Sequence, residues 1–326
     1  MNKNKFIEVN IEHIDFDDQS YIFTFEPGMS QLIASIKNAG IISPPILEFK
    51  TDRTYRIVTG SKRISALVQL KIKNFTAKVF YSKNNNKPTL DIFKLNLYEN
   101  IGTRELNIVE KTNIIFKLIN LFNLSREQVI KKYLPLLELE TNPKIIDRYL
   151  PLIDLEISIK KAVAEEFISI EIAHSFMNLS QEERLKIFNL FNQLKLGKNR
   201  QKEFMRLLQD IKAISRQTID QILENENIKN IIQDQQLTSS VKINRIKDVL
   251  KKLRYPNYTK IEKEFNQLKK ELKLPPNIML RAPAFFEGEK YSLEMSFKNQ
   301  KEFAKLVDLL KSIADSEKLL KLEELV

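Results

Sequence analysis

Cysteine is absent from this 326-residue chain, which removes disulfides, thiolate metal sites and thiol nucleophiles together. Its two histidines, His13 and His174, are too few for a typical zinc cluster. Glycine is scarce, at 6 residues. Tight turns and hairpins draw on glycine, so the chain is expected to be mostly helical. Long apolar runs are missing as well. Stretches such as 44–47 and 135–137 are far too short to span a bilayer, and no membrane segment is expected. Met1-Asn2-Lys3-Asn4-Lys5 has no apolar stretch behind it and does not read as a secretory signal. A reducing cytoplasm is the expected compartment. No Ser-His-acid or paired-carboxylate arrangement stands out, so hydrolase chemistry of those kinds is not expected. His174, amid Ile170, Ile172, Ala173, Phe176 and Met177, reads as a core or half-buried histidine.

What is present is charge and helix. A formal charge of +11 favours anionic partners such as nucleic acid or nucleotides, although a lysine-rich composition alone also makes a chain basic. The length allows two or three domains. Residues 6–9, 21–25, 46–49, 55–58 and 77–80 read as strands, and 30–38 as a helix ended by Gly40. Residues 84–88 read as a loop, and 91–97 as helix or strand leading into Glu99. From 107 to 223 the pattern is helical, with Ser125 and Gln128 as a capping box and Pro143 opening a further helix. After 239 come two helical segments broken at Tyr255-Pro256. Strands at 277–280 and 291–297 then flank a turn at 285–289, and a last helix covers 301–313.

Two short segments carry chemistry. Thr59-Gly60-Ser61-Lys62-Arg63 follows a strand-like run and opens a helix, so a flexible residue, two cations and a helix N-terminus coincide, as phosphate sites require. Arg63 could fork two phosphate oxygens, with Lys62 as a point charge. About forty residues on, Glu99-Asn100-Ile101-Gly102-Thr103-Arg104 supplies an acid, an amide and a cation, placed near the start of a further helix. Glu99 or Asn100 would suit a hydrated Mg²⁺ beside phosphates. A surface turn with solvated cations and an ordinary helix cap account for the same residues.

Residues 126–133 and 144–150 follow one another as a helix-turn-helix would, with Lys144 and Arg148 sharing one exposed face, although the turn exceeds the usual 3–4 residues. Plain helix packing fits as well. Residues 242–273 are the strongest basic feature. Lys247, Lys251 and Arg254 fall on one face, with Tyr255 and Tyr258 nearby for stacking, which suits phosphate tracking or a solvated amphipathic helix.

Residues 30–200 resemble the ParB partition-protein family, whose N-terminal domain shares a fold with sulfiredoxin. The residues behind the likeness are Ser35-Ile36-Lys37-Asn38-Ala39-Gly40, Pro45-Ile46-Leu47, the strand, turn and helix from Tyr55 to Ala66, and Glu99-Asn100. Leu106-Asn107-Ile108-Val109-Glu110, Leu124-Ser125-Arg126-Glu127-Gln128-Val129 and Ile170-Glu171-Ile172-Ala173-His174 continue it. In that family the two motifs hold the triphosphate and Mg²⁺ of CTP, and nucleotide binding closes a DNA clamp. The resemblance implies that Gly60, Ser61, Lys62 and Arg63 take phosphate. Glu99 and Asn100 would serve metal and phosphates, with Arg104 assisting and Glu99 the candidate catalytic group. Ser61 and Lys62 stand where the family has Glu and Arg, and three residues rather than two precede Arg104. Sulfiredoxin chemistry is excluded by the missing cysteine.

The expected fold class is therefore α+β and predominantly helical. A ParB/sulfiredoxin-like nucleotide domain (1–104) would precede a helical DNA-binding domain (105–235) and basic helices with a small α+β part (236–326). The expected function is DNA binding in chromosome or plasmid partition, switched by CTP with Mg²⁺ and at most a slow CTPase. A homodimer, nucleoid-associated in the cytoplasm, goes with it. Two alternatives stay open: a nucleotide-dependent small-molecule kinase on the same fold, and a transcription regulator or scaffold with a vestigial pocket. Lys144, Arg148, Lys247, Lys251 and Arg254 are the candidate DNA contacts.

Overall fold

The computed structural model describes residues 5–25, 28–50, 52–81, 87–283, 290–314 and 320–322, with backbone alone at 256–259. The loop at 84–86, the turn at 285–289 and the Tyr258 side chain lie outside the described residues. The chain gathers into two compact units, Met1–Lys202 and Glu203–Val326. The architecture is a mixed α+β N-terminal region, a helical middle and a small C-terminal hairpin with a helix. Among the described residues no helix is long and apolar enough to cross a membrane.

The first unit begins with β1 (Lys5–Asn10), α1 (Ser30–Ala39), β2 (Ile46–Phe49), β3 (Tyr55–Thr59), α2 (Ser61–Gln69) and β4 (Asn74–Tyr81). The strands form one sheet in the order β1-β4-β2-β3. β1 runs antiparallel to β4, β4 parallel to β2, and β2 antiparallel to β3. Successive strand residues point to opposite faces, and β3 shows the result. Ile57 joins Leu47, Ile64 and Leu67 in a core with α1 and α2. Val58 joins Phe93 and Leu97 of α3 (Leu90–Ile101) on the other face.

That second core runs on into α4 (Ile108–Asn120), α5 (Arg126–Lys132) and α6 (Pro143–Tyr149) through Ile114, Ile115, Val129 and Ile146. The shared core explains why the mixed and helical parts fold as one unit. α7 (Ile157–Ala164), α8 (Ile170–Phe176), α9 (Gln181–Leu194) and α10 (Lys198–Ser215) follow, and the unit boundary falls within α10. Local signals set the helix ends. Asn107 with Glu110, and Ser125 with Gln128, form complete capping boxes at α4 and α5. Asn142 caps α6, whose first residue is Pro143.

Residues 21–25 are not a strand. Their backbone is satisfied by distant side chains instead of a ladder. Asn96 Nδ2 donates to the Tyr21 carbonyl at 2.8 Å, Asn113 Nδ2 to Phe23 at 3.0 Å, and the Phe25 amide donates to Glu110 at 3.0 Å. Glu99 and Asn100 close a helix rather than start one, because α3 already begins at Leu90. His174 is exposed on α8, not in the core, since Ile172, Ala173 and Phe176 take the buried face.

The second unit contains α11 (Ile219–Leu223), α12 (Glu226–Gln233), α13 (Ser239–Arg254) and α14 (Pro256–Glu271). The antiparallel pair β5 (Ile278–Arg281) and β6 (Ser292–Met295) and the helix α15 (Gln300–Ala314) complete it. Phe265, Leu272, Leu280 and Leu322 form a small core there.

Candidate functional site

The turn between β3 and α2 builds the first wall of the site. Gly60 caps α2 with φ 82°, a left-handed backbone that suits glycine. A Cβ there would come within 2.9 Å of both Pro45 Cβ and Arg63 Nη2, so the position also has no room for one. Beyond Gly60 the first-turn amides of α2 have no intrahelical partners, and Lys62 and Arg63 sit beside them.

The last turn of α3 supplies the second wall. Arg63 Nη1 donates to the Ser43 carbonyl, and Arg63 Nη2 lies 3.5 Å from Glu99 Oε1. The other carboxylate oxygen, Glu99 Oε2, is buried without a hydrogen-bond partner among the described residues. A cleft of about 230 Å³ is lined by Gly60, Ser61, Lys62, Arg63, Glu99, Asn100 and Arg104, with Thr24, Leu32 and Thr103. Both sequence segments thus meet in one place.

Electrostatics divides these residues. Lys62 is half-buried, and burial pushes its ammonium down, as does nearby Arg104, against the pull of Glu110. Asn100 is committed within its own segment. Its Nδ2 donates to Asn96 Oδ1 at 2.7 Å, and its Oδ1 accepts from Arg104 Nε at 3.0 Å. Arg104 in turn holds Glu110, at 2.8 Å from each terminal nitrogen. Gly60, the α2 amides and the spare oxygen of Glu99 therefore keep the most freedom to meet a ligand, while Ser43 and Glu99 hold Arg63 at the cleft. No group of three or more acidic or histidine side chains among the described residues could hold a metal alone. A Mg²⁺ at Glu99 would draw its remaining oxygens from phosphates and water, as Mg²⁺ commonly does; the orphaned Oε2 fits that role.

Sequence reasoning missed Glu110, although Asn107-x-x-Glu110 before an apolar run is a capping-box signal.

The candidate DNA contacts lie elsewhere and are mostly paired. On α6, Arg148 Nη2 donates to Glu171 Oε1 at 2.5 Å, while Asp147 is held by Arg126 at 2.6 Å. Lys144 is exposed with no ion pair among the described residues and shares a cleft with His174. The turn before α6 holds a 3₁₀ segment, Pro135–Leu137. On α13, Lys247 pairs with Glu203 at 2.7 Å, and Arg254 pairs with Asp210 at 3.0 Å and lies 4.6 Å over the Tyr255 ring. Lys251 alone of that stripe is exposed without an ion pair among the described residues.

The first wall and much of the second lie in residues that resemble known proteins. Residues 1–101 match the ParB N-terminal domain. A chromosome-partitioning protein ParB of Myxococcus xanthus is 32% identical over 124 residues, 38% of this chain and 40% of the relative. A nucleoid occlusion protein of Bacillus mycoides is 26% identical over 186 residues, 56% of this chain and 60% of the relative. The chain thus spans about half the length of these curated relatives. The solved ParB of Caulobacter crescentus complexed to the centromeric parS site is 15% identical, covering 61% of this chain and 98% of that one. The TM-score of that match is 0.33. At the level of the superfamily, residues 1–101 are similar to the ParB N-terminal domain.

Proposed function

We propose that this protein binds DNA in a partition role and is switched by a nucleotide, CTP with Mg²⁺, held at the β3–α2 turn. One observation carries the reading: Gly60, Arg63 and Glu99 meet in a single cleft at a helix N-terminus, inside a region that matches the ParB N-terminal domain. Gly60 leaves the backbone open to a close phosphate, the α2 amides and Arg63 bind it, and Lys62 adds positive charge. Glu99 Oε2 would hold the cation, which would supply neutralisation of phosphate charge. Turnover, where present, is slow. α5 and α6 supply the DNA-reading part, a homodimer is the working form, and the nucleoid within the cytoplasm is its place.

Calorimetric titration with CTP and with ATP, each with Mg²⁺, tests this, repeated on Arg63→Ala. CTP binding that Arg63→Ala abolishes is the expected result. Preference for ATP moves the reading to a small-molecule kinase on the same fold, with Glu99 as base.

A second reading has its own support. Asn100 and Arg104 are already engaged by Asn96 and Glu110, as expected of a scaffold whose pocket no longer binds. Absence of binding by either nucleotide selects it.

A further inference from the structure

The phosphate cleft, at about 230 Å³, is smaller than the ~300–1,000 Å³ usual for ligand sites. Next to it lies a larger chamber of about 520 Å³. The two share Thr24, Ser61 and Lys62 in their walls, so one ligand can reach from one into the other. The chamber is chemically unlike the cleft. Phe16, Ile22, Ile33 and Ile57 give it an apolar lining, and Gln19 and Gln69 add amides that can donate or accept. Apolar walls with a few amides suit the nucleoside end of a ligand whose phosphates sit at Gly60.

One residue of the chamber comes from outside the domain. Its other walls are drawn from residues 16–69, but Lys161 belongs to α7 in the helical part of the same unit. Lys161 is exposed and makes no ion pair among the described residues, so its ammonium is available. Its four-carbon stem gives it reach.

We infer that Lys161 is a specificity-determining contact, donating a hydrogen bond to the nucleoside portion of a nucleotide bound in the chamber. The inference rests on the nucleotide reading above and adds a consequence. A ligand in the chamber touches both the ParB-type domain and α7, and so ties the helical part to nucleotide occupancy.

The test uses the full chain and two probes with Mg²⁺, CTP and inorganic tripolyphosphate. Calorimetry compares the wild type with Lys161→Met and Arg63→Ala. Lys161→Met should weaken CTP about tenfold, the loss expected for one hydrogen bond from a charged donor, and leave tripolyphosphate unchanged. Arg63→Ala should weaken both. Hydrogen exchange should show CTP protecting residues 157–164 in the wild type and not in Lys161→Met. Equal CTP affinity in Lys161→Met, or no ligand protection of α7, overturns the inference while the phosphate site stands. If the wild type binds neither probe, the nucleotide reading itself falls and this inference goes with it.

Discussion

Arg104 places both terminal nitrogens of its guanidinium on Glu110, at 2.8 Å each, and the Glu110 carboxylate is fully buried. The same carboxylate accepts from the Asn107 amide at 3.1 Å and the Phe25 amide at 3.0 Å. One acid therefore joins the segment before α1, the α3–α4 connection and the start of α4.

Removing Arg104 leaves that buried charge without its cation. Arg104→Met should cost about 2–3 kcal/mol, below the full range for a buried pair, because Arg104 is partly exposed and Glu110 keeps the Phe25 and Asn107 amides. Urea unfolding of the variant measures it, and a loss under about 1 kcal/mol contradicts the buried pairing.

Gly60→Ala meets two obstacles at once, a left-handed φ and a Cβ 2.9 Å from Pro45. A cost of about 1–3 kcal/mol follows from the strain. Because the same Cβ presses on Arg63 Nη2, phosphate binding should be lost as well. A variant as stable as the wild type would show that the turn relaxes freely.

Tyr21 is fully buried, and its hydroxyl accepts from the Thr89 amide at 3.0 Å. Burial pushes its phenol up to about 12, against about 10 unfolded. A raised folded pKa gives stability that is whole below pH 10 and declines as pH rises towards 12. In Tyr21→Phe that alkaline decline should flatten by about 3 kcal/mol at most. Unfolding free energies from pH 9 to 12 test it, and parallel curves for the two proteins refute it.

If DNA binds, the cations already paired with acids should matter least. Lys144→Ala and Lys251→Ala should each reduce the slope of log affinity against log salt by about 0.9, the value of one duplex phosphate contact. Lys247→Ala and Arg254→Ala should leave the slope nearly unchanged, because Glu203 and Asp210 hold those cations. Equal effects from all four would show that the acids release them to DNA.

The β3–α2 turn was legible because its determinants are local: a strand, a glycine and a helix N-terminus within a dozen residues. The helix ends were legible for the same reason, at Ser125 and at Pro143. The segment at 21–25 was not, because alternating aromatics imitate a strand while its true partners, Asn96 and Asn113, lie 75 and 90 residues away. Glu99 was misplaced at a helix start because residues 91–97 fit helix and strand alike. The basic stripe of α13 was visible, but the acids of α10 that neutralise it were not, since pairing between helices leaves no mark in either sequence.

β4 is the last strand of its sheet in sequence, yet it lies between β1 and β2. On a growing chain, neither β1 nor the β2–β3 hairpin has its central neighbour until residue 81 has emerged. Until then the pieces expose unpaired edges, the feature that invites mispairing with other chains. Any shortened version meant to isolate the Gly60 cleft must therefore retain β4, or it will carry open edges in place of a sheet, and α3 as well, because Glu99 of the cleft lies on it.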